Sequence, residues 1–240
     1  MRTRAKRAYT GLDRSFAERV PMSKTTAEIR WFVSAKERAE IDRVDEWFHR
    51  LGSGGDEDVP QLVDVYVVDA SSDELGLKTS DGGANLEIKT LAERHFVELF
   101  FGPRPCTAQL WTKVSTASLV PRDALLGCRV AKRRSLRRYG TEASYAQKLP
   151  HPGALPSGGS AGPPSVVGCV LEWSAVEIDG LAGEWRTLCF EAFATNQRTA
   201  TWAALQGALQ KTLNAVEPAP RLGAPWRELS YPGLLASTIA

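Results

Sequence analysis

Residues 63–90 read VDVYVVDASSDELGLKTSDGGANLEIKT, and they narrow the possible folds more than any other stretch. Asp64, Tyr66 and Val68 alternate with Val65 and Val67; Leu77 alternates with Gly76 and Lys78; Leu86 and Ile88 alternate with Glu87 and Lys89. Successive strand side chains point to opposite faces, and Ser71-Ser72-Asp73 and Asp81-Gly82-Gly83 break the runs with turn chemistry. The pattern predicts an antiparallel meander. The third run has one aliphatic face and one that carries Glu87 and Lys89, and Lys78 faces away from Leu77. If the aliphatic faces are covered, the charged faces converge on an interior. Otherwise they form a solvated, ion-paired face, as in many one-sided sheets.

The rest of the chain repeats this two-faced design. Residues 26–33 (TAEIRWFV) predict a strand with Thr26, Glu28 and Arg30 on one face and Ile29, Trp31 and Val33 on the other. Ser34 and Glu37 have capping-box spacing, and Ile41, Val44, Phe48 and Leu51 recur at helical intervals up to the glycines at 52–55. This helix is a natural cover for a sheet. An apolar run at 96–101 precedes strands at 108–114 and 127–134. The second of these is basic on both faces, with Lys132 and Arg134 beside Val130 and with Arg129 and Arg133 opposite. Residues 140–164 are rich in Gly, Pro, Ser and Ala, which predicts a mobile loop. In the strand at 166–178, Leu171, Trp173 and Ala175 oppose Glu172 and Ser174. Strict parity places Val176 and Ile178 beside Glu172, which predicts a bulge near Ala175 or an early strand end. Asp179-Gly180 begins a turn into 184–193, where Thr187, Cys189 and Glu191 share a face. A helix at 201–214 buries Trp202, Leu205, Leu209 and Leu213, and 230–235 form a short docking segment.

Composition excludes several classes. The 240 residues are 43% hydrophobic and 24% charged, an ordinary globular balance with room for a sizeable core. No apolar run is long enough to cross a bilayer, and no apolar h-region opens the chain. Cys106, Cys128, Cys169 and Cys189 form no CxxC pair, and His49, His95 and His151 share no metal-ligand spacing, so zinc chemistry has no support. A cytoplasmic location follows as the default for scattered cysteines. The net charge of +2 hides a basic leader: residues 1–21 hold six basic and two acidic side chains, and the remaining 24 basic and 26 acidic residues give −2. The body is therefore not a basic nucleic-acid binder, and the run at 129–138 lacks an aromatic ladder. The leader is expected to be disordered, with residues 22–240 forming one domain.

Eight or nine strands and two main helices predict an α+β fold: a closed antiparallel eight-stranded barrel with helices packed outside. Helices would bury the apolar faces, and the charged faces would line a water-filled bore. Opposite charges in such an interior must pair with one another or meet a ligand.

The order of elements from residue 27 to residue 235 resembles the CYTH-like, or triphosphate tunnel, superfamily of class IV adenylate cyclases, thiamine triphosphatase and inorganic triphosphatases. The resemblance rests on Glu28-Ile29-Arg30, Leu77-Lys78, Leu86-Glu87-Ile88-Lys89, the basic strand with Lys132 and Arg134, and the segment from Trp185 to Glu191. The opening Glu-x-Glu-x-Lys of that family overlays Thr26, Glu28 and Arg30, so a threonine replaces one carboxylate and an arginine replaces the lysine. The resemblance implies a metal-dependent phosphohydrolase acting on a triphosphate-bearing small molecule. Arg30, Lys78, Lys89, Lys113, Lys132 and Arg134 would hold the polyphosphate. Glu28, Glu172 and Glu191 would hold Mg or Mn, and Glu28, Arg30 and Lys89 would serve catalysis. Two alternatives stay open: a non-catalytic binder of phosphorylated or polyanionic ligands with a degenerate metal site, and a structural ion-pair network with no turnover.

Overall fold

The computed structural model describes residues 22–51, 57–69, 71–80, 85–97, 105–117, 127–140, 167–194, 202–216 and 220–239. The expectations for the leader and for residues 141–164 lie outside them. The strands are β1 (Met22–Ser34), β2 (Glu57–Val67), β3 (Leu75–Ser80), β4 (Asn85–Val97), β5 (Cys106–Ala117), β6 (Cys128–Gly140), β7 (Val167–Ile178), β8 (Glu184–Ala194) and β9 (Arg227–Glu228); the helices are α1 (Arg38–Arg50), α2 (Trp202–Ala215) and α3 (Tyr231–Ile239). Eight strands run β5-β4-β3-β2-β6-β7-β8-β1, and β1 pairs back onto β5, so the antiparallel sheet closes into a barrel. The fold is α+β. Strand β1 pairs with β5 over Met22–Glu28, then leaves it and takes up β9 at Trp31 and Phe32. Glu228 ties the opening together by accepting a hydrogen bond from the Thr107 amide at 2.6 Å.

Parity decides what is inside. On β1, Ala27, Ile29, Trp31 and Val33 point outward and join Ile41, Val44, Trp47 and Phe48 of α1 and Leu205, Leu209 and Leu213 of α2 in the main core. The even-numbered partners Thr26, Glu28, Arg30 and Phe32 point into the bore. Arg137, on the outer face of β6, donates from Nε and Nη2 to the Phe48 carbonyl at 3.2 and 2.9 Å. It thus strengthens the cap of α1, where the Phe48 carbonyl otherwise accepts, among the described residues, only the longer 3.3 Å bond from the Leu51 amide.

Four local expectations need correction. Helix α1 starts at Arg38, and Glu37 rather than Ser34 is its N-cap and makes no side-chain cap bond. Ser34 is the last residue of β1, held by pairing with Trp185, so the capping-box spacing is never used. The slip in β7 does not occur: the β6–β7 and β7–β8 registers run unbroken to Ile178 and to Glu177 respectively. Val176 and Ile178 do share the face of Glu172, because one end of the bore is apolar. There Phe32, Tyr66, Val130, Val176 and Ile178 pack against Tyr231, Leu234 and Leu235 of α3, the element read as a short docking segment. A Cβ on Gly76 would lie 3.1 Å from Pro232 of α3, so a larger residue there would crowd the helix. The apolar run at 96–101 begins as the end of β4, where Phe96 is exposed and only Val97 is buried; residues 98–101 lie outside the described residues. Finally, the helices cover β1, β5, β7, β8 and part of β6, whereas the outward face of the meander keeps Val67, Leu75 and Ile88 exposed.

The turn after β7 has the anticipated chemistry, with Gly180 and Gly183 at φ of 83° and 85°. No helix among the described residues is long and apolar enough to cross a membrane.

Candidate functional site

Every strand of the ring sends polar side chains inward. Glu28, at 2% exposure, accepts from Arg30 Nε at 2.9 Å and from Lys89 Nζ at 2.5 Å. Arg30 extends the chain: its Nη1 donates to Glu172 Oε1 at 2.9 Å and to Thr187 Oγ1 at 3.2 Å. Glu172 also meets Arg134 at 3.7 Å. Across the bore, Asp64 Oδ2 accepts from Lys132 at 2.8 Å and Lys78 at 3.0 Å, and Lys78 lies 3.8 Å from Glu87. Lys113 Nζ contacts Glu191 Oε1. Aromatic rings complete the lining. Lys132 Nζ sits 3.8 Å from the Tyr231 ring centroid, Arg30 Cζ 4.8 Å from the same ring, and Lys89 Nζ 4.4 Å from that of Trp111; such placement favours a desolvated cation.

The bore therefore brings together Glu28, Arg30, Lys78, Glu87, Lys89, Lys113, Lys132, Arg134, Glu172 and Glu191. It adds Lys24, Asp64, Tyr66, Thr187 and Tyr231, which reading of the sequence did not single out. Asp64 was open to the same parity rule, because Val63, Val65 and Val67 hold the other face of β2. Lys24 continues the inward face of β1 by two residues. Tyr231 carries no such signal, since only tertiary packing brings α3 to the mouth. Among the described side chains of the ring, Lys24, Arg30, Lys78, Lys89, Lys113, Lys132 and Arg134 meet Glu28, Asp64, Glu87, Glu172 and Glu191, seven cations against five carboxylates.

The excess is concentrated. Lys24 pairs in register with Lys113, and Lys113 with Lys89, so three lysines on β1, β5 and β4 form one cross-strand row. Like charges directly opposite are destabilising. Lys113 across the ladder, with burial adding to it, pushes the Lys24 ammonium below its usual value. Burial pushes Lys89 down as well; Glu28 opposes the shift and Lys113 reinforces it.

The carboxylates shift the other way. Burial alone would raise Glu28, but Lys89, Arg30 and Lys113 hold it well below the carboxylate range. Burial likewise opposes the cations at Glu191, where Lys113 and Lys24 win and the pKa falls from 4.5 to about 2. Asp64 and Glu172 are lowered against burial by their cations. A carboxyl depressed in the folded state stabilises the fold above its unfolded pKa and loses that contribution as pH falls through the folded value. Stability is therefore expected to be level from about pH 5 to neutrality and to fall progressively from about pH 5 toward pH 2. Urea midpoints across this range check it; a flat profile would contradict the ion-pair account.

Glu28 and Glu191 are cross-strand partners in register on β1 and β8, but Glu172 stands apart from them and all three are engaged by cations. The Arg30 guanidinium lies between Glu28 and Glu172, and Lys113 engages Glu191. Among the described residues, no group of three His, Cys, Asp or Glu side chains could hold a metal ion. A hard divalent cation wants several oxygens facing a common centre; here the oxygens face ammonium and guanidinium groups. The residues do not fit Mg or Mn.

No family model matches the chain, and no curated protein matches it. Among solved structures, a conserved hypothetical protein from Pyrococcus furiosus is similar over 79% of this chain and 90% of its own, at 8% identity and a TM-score of 0.32.

Proposed function

We propose that the barrel binds a polyphosphate-type polyanion in its bore, without turning it over, as a divergent member of the triphosphate tunnel superfamily. The row of Lys24, Lys113 and Lys89 carries this reading. Lys113 pushes Lys24 and Lys89 down, while Glu191, Glu87 and Glu28 hold Lys113 itself up against burial; an anion with several charged oxygens relieves the repulsion that the carboxylates leave. The paired cations extend the same surface: Glu28, Asp64 and Glu172 each meet two cations, so a phosphate can share a cation without stripping a carboxylate bare. Charge-assisted hydrogen bonds to phosphate are about twice as strong as neutral ones. Metal-dependent hydrolysis finds no comparable support, because Glu28, Glu172 and Glu191 are occupied by cations.

Calorimetric titration of tripolyphosphate in EDTA tests the reading. Saturable binding that weakens with added salt is expected, with no orthophosphate release when magnesium or manganese replaces EDTA. Heats no larger than dilution would contradict binding, and metal-dependent phosphate release would return the enzyme reading to first place.

A further inference from the structure

We infer that Thr26 and Trp111 form an oxyanion subsite in the bore, at the position where the resemblance would place a metal-holding carboxylate. The inference rests on the polyanion-binding reading above and names where one phosphoryl group sits.

Thr26 on β1 and Trp111 on β5 are cross-strand partners in register. Both face the bore, one step from the row of Lys24 and Lys113 and one step from Glu28. Both are fully buried at 0% exposure, yet Thr26 Oγ1 and Trp111 Nε1 have no hydrogen-bond partner. Buried polar groups are almost always paired, so two unpartnered ones on in-register neighbours that face the bore call for a partner. An indole N–H can only donate, so its missing partner is an acceptor. The nearest carboxylates are already committed: Glu28 to Arg30 and Lys89, Glu191 to Lys113. A divalent cation has no use for an N–H donor. A phosphate oxygen can accept from the indole and from the threonine hydroxyl, and Lys89, whose Nζ is 4.4 Å from the Trp111 ring centroid, supplies a cation nearby. Where the resemblance would place a glutamate for a cation, Thr26 instead offers a hydroxyl to an anion.

The test titrates tripolyphosphate, in EDTA, into wild type, Thr26→Val, Trp111→Phe and Lys113→Ala. Each substitution at the subsite is expected to weaken binding about ten-fold, the loss of one charge-assisted contact. Ligand-free Thr26→Val should melt no lower than wild type, because it removes a buried hydroxyl that had no partner; its weaker binding is then not a symptom of unfolding. Wild-type affinity in both Thr26→Val and Trp111→Phe would overturn the subsite. If Lys113→Ala still loses affinity in that case, bore binding stands and only the subsite falls; if all three variants bind like wild type, both fall together.

Discussion

Arg30→Met is expected to lower folding stability by about 3–5 kcal/mol, the scale for breaking a buried ion pair from one side. The guanidinium is 6% exposed and holds three partners at once, Glu28, Glu172 and Thr187. Methionine fills similar space but leaves two buried carboxylates with weaker company. Glu28 keeps Lys89, whereas Glu172 keeps only Arg134 at 3.7 Å. With total stabilities of about 5–15 kcal/mol, a loss of that size leaves many domains close to unfolding. Most of the cost belongs to the stranded carboxylate rather than to the pair itself. Arg30→Met combined with Glu172→Met is therefore expected to be more stable than Arg30→Met alone, since buried pairs replaced by apolar groups are often neutral. Urea denaturation of the two variants decides it. A single variant within about 1 kcal/mol of wild type would show that Arg30 is solvated and that the network is looser than its distances imply.

The fold was legible because one rule, period-two alternation, recurs on strand after strand. Glu28, Lys78, Lys89, Lys113 and Glu191 could each be placed on an inward face from local sequence alone. What parity cannot show is how charges pair across the bore. Arg30 lies between Glu28 and Glu172 because β1, β7 and β8 are neighbours, a fact of ring closure rather than of any one strand. The metal expectation finds no support in the network for that reason: Glu28 and Glu191 are cross-strand partners, but a guanidinium stands between Glu28 and Glu172. The apparent slip at Ala175 has a different origin. Val176 and Ile178 broke a charged pattern, and the pattern itself was incomplete, since α3 turns one end of the bore apolar. A helix contributed from the far end of the chain leaves no trace in the local sequence of β7. The unused capping box at Ser34 shows the converse: a favourable local signal loses when β1 gains one more pair with β8 by continuing through that residue.

Lys89→Ala and Lys132→Ala are each expected to weaken tripolyphosphate binding by about ten-fold or more, from charge-assisted contacts of roughly 1.5–3 kcal/mol. The two lysines lie on different walls, β4 and β6, and serve different carboxylates. Lys89 approaches Glu28, which retains Arg30; Lys132 approaches Asp64, which retains Lys78. Neither change strands a buried charge, so both variants should stay folded and report on binding. Lys132 also lies against Tyr231, and its loss removes a cation from the end of the bore that α3 packs against. Lys89 tests the lysine row at the other side. A long polyanion should feel both losses, whereas a single phosphate should feel one.

The most direct measurement is calorimetric titration of tripolyphosphate into wild type, Lys89→Ala and Lys132→Ala, each with and without EDTA. Binding through protein cations predicts a drop of about ten-fold or more in both variants and the same wild-type affinity whether or not EDTA is present. Unchanged affinity in both variants, or binding that vanishes with EDTA, would contradict it.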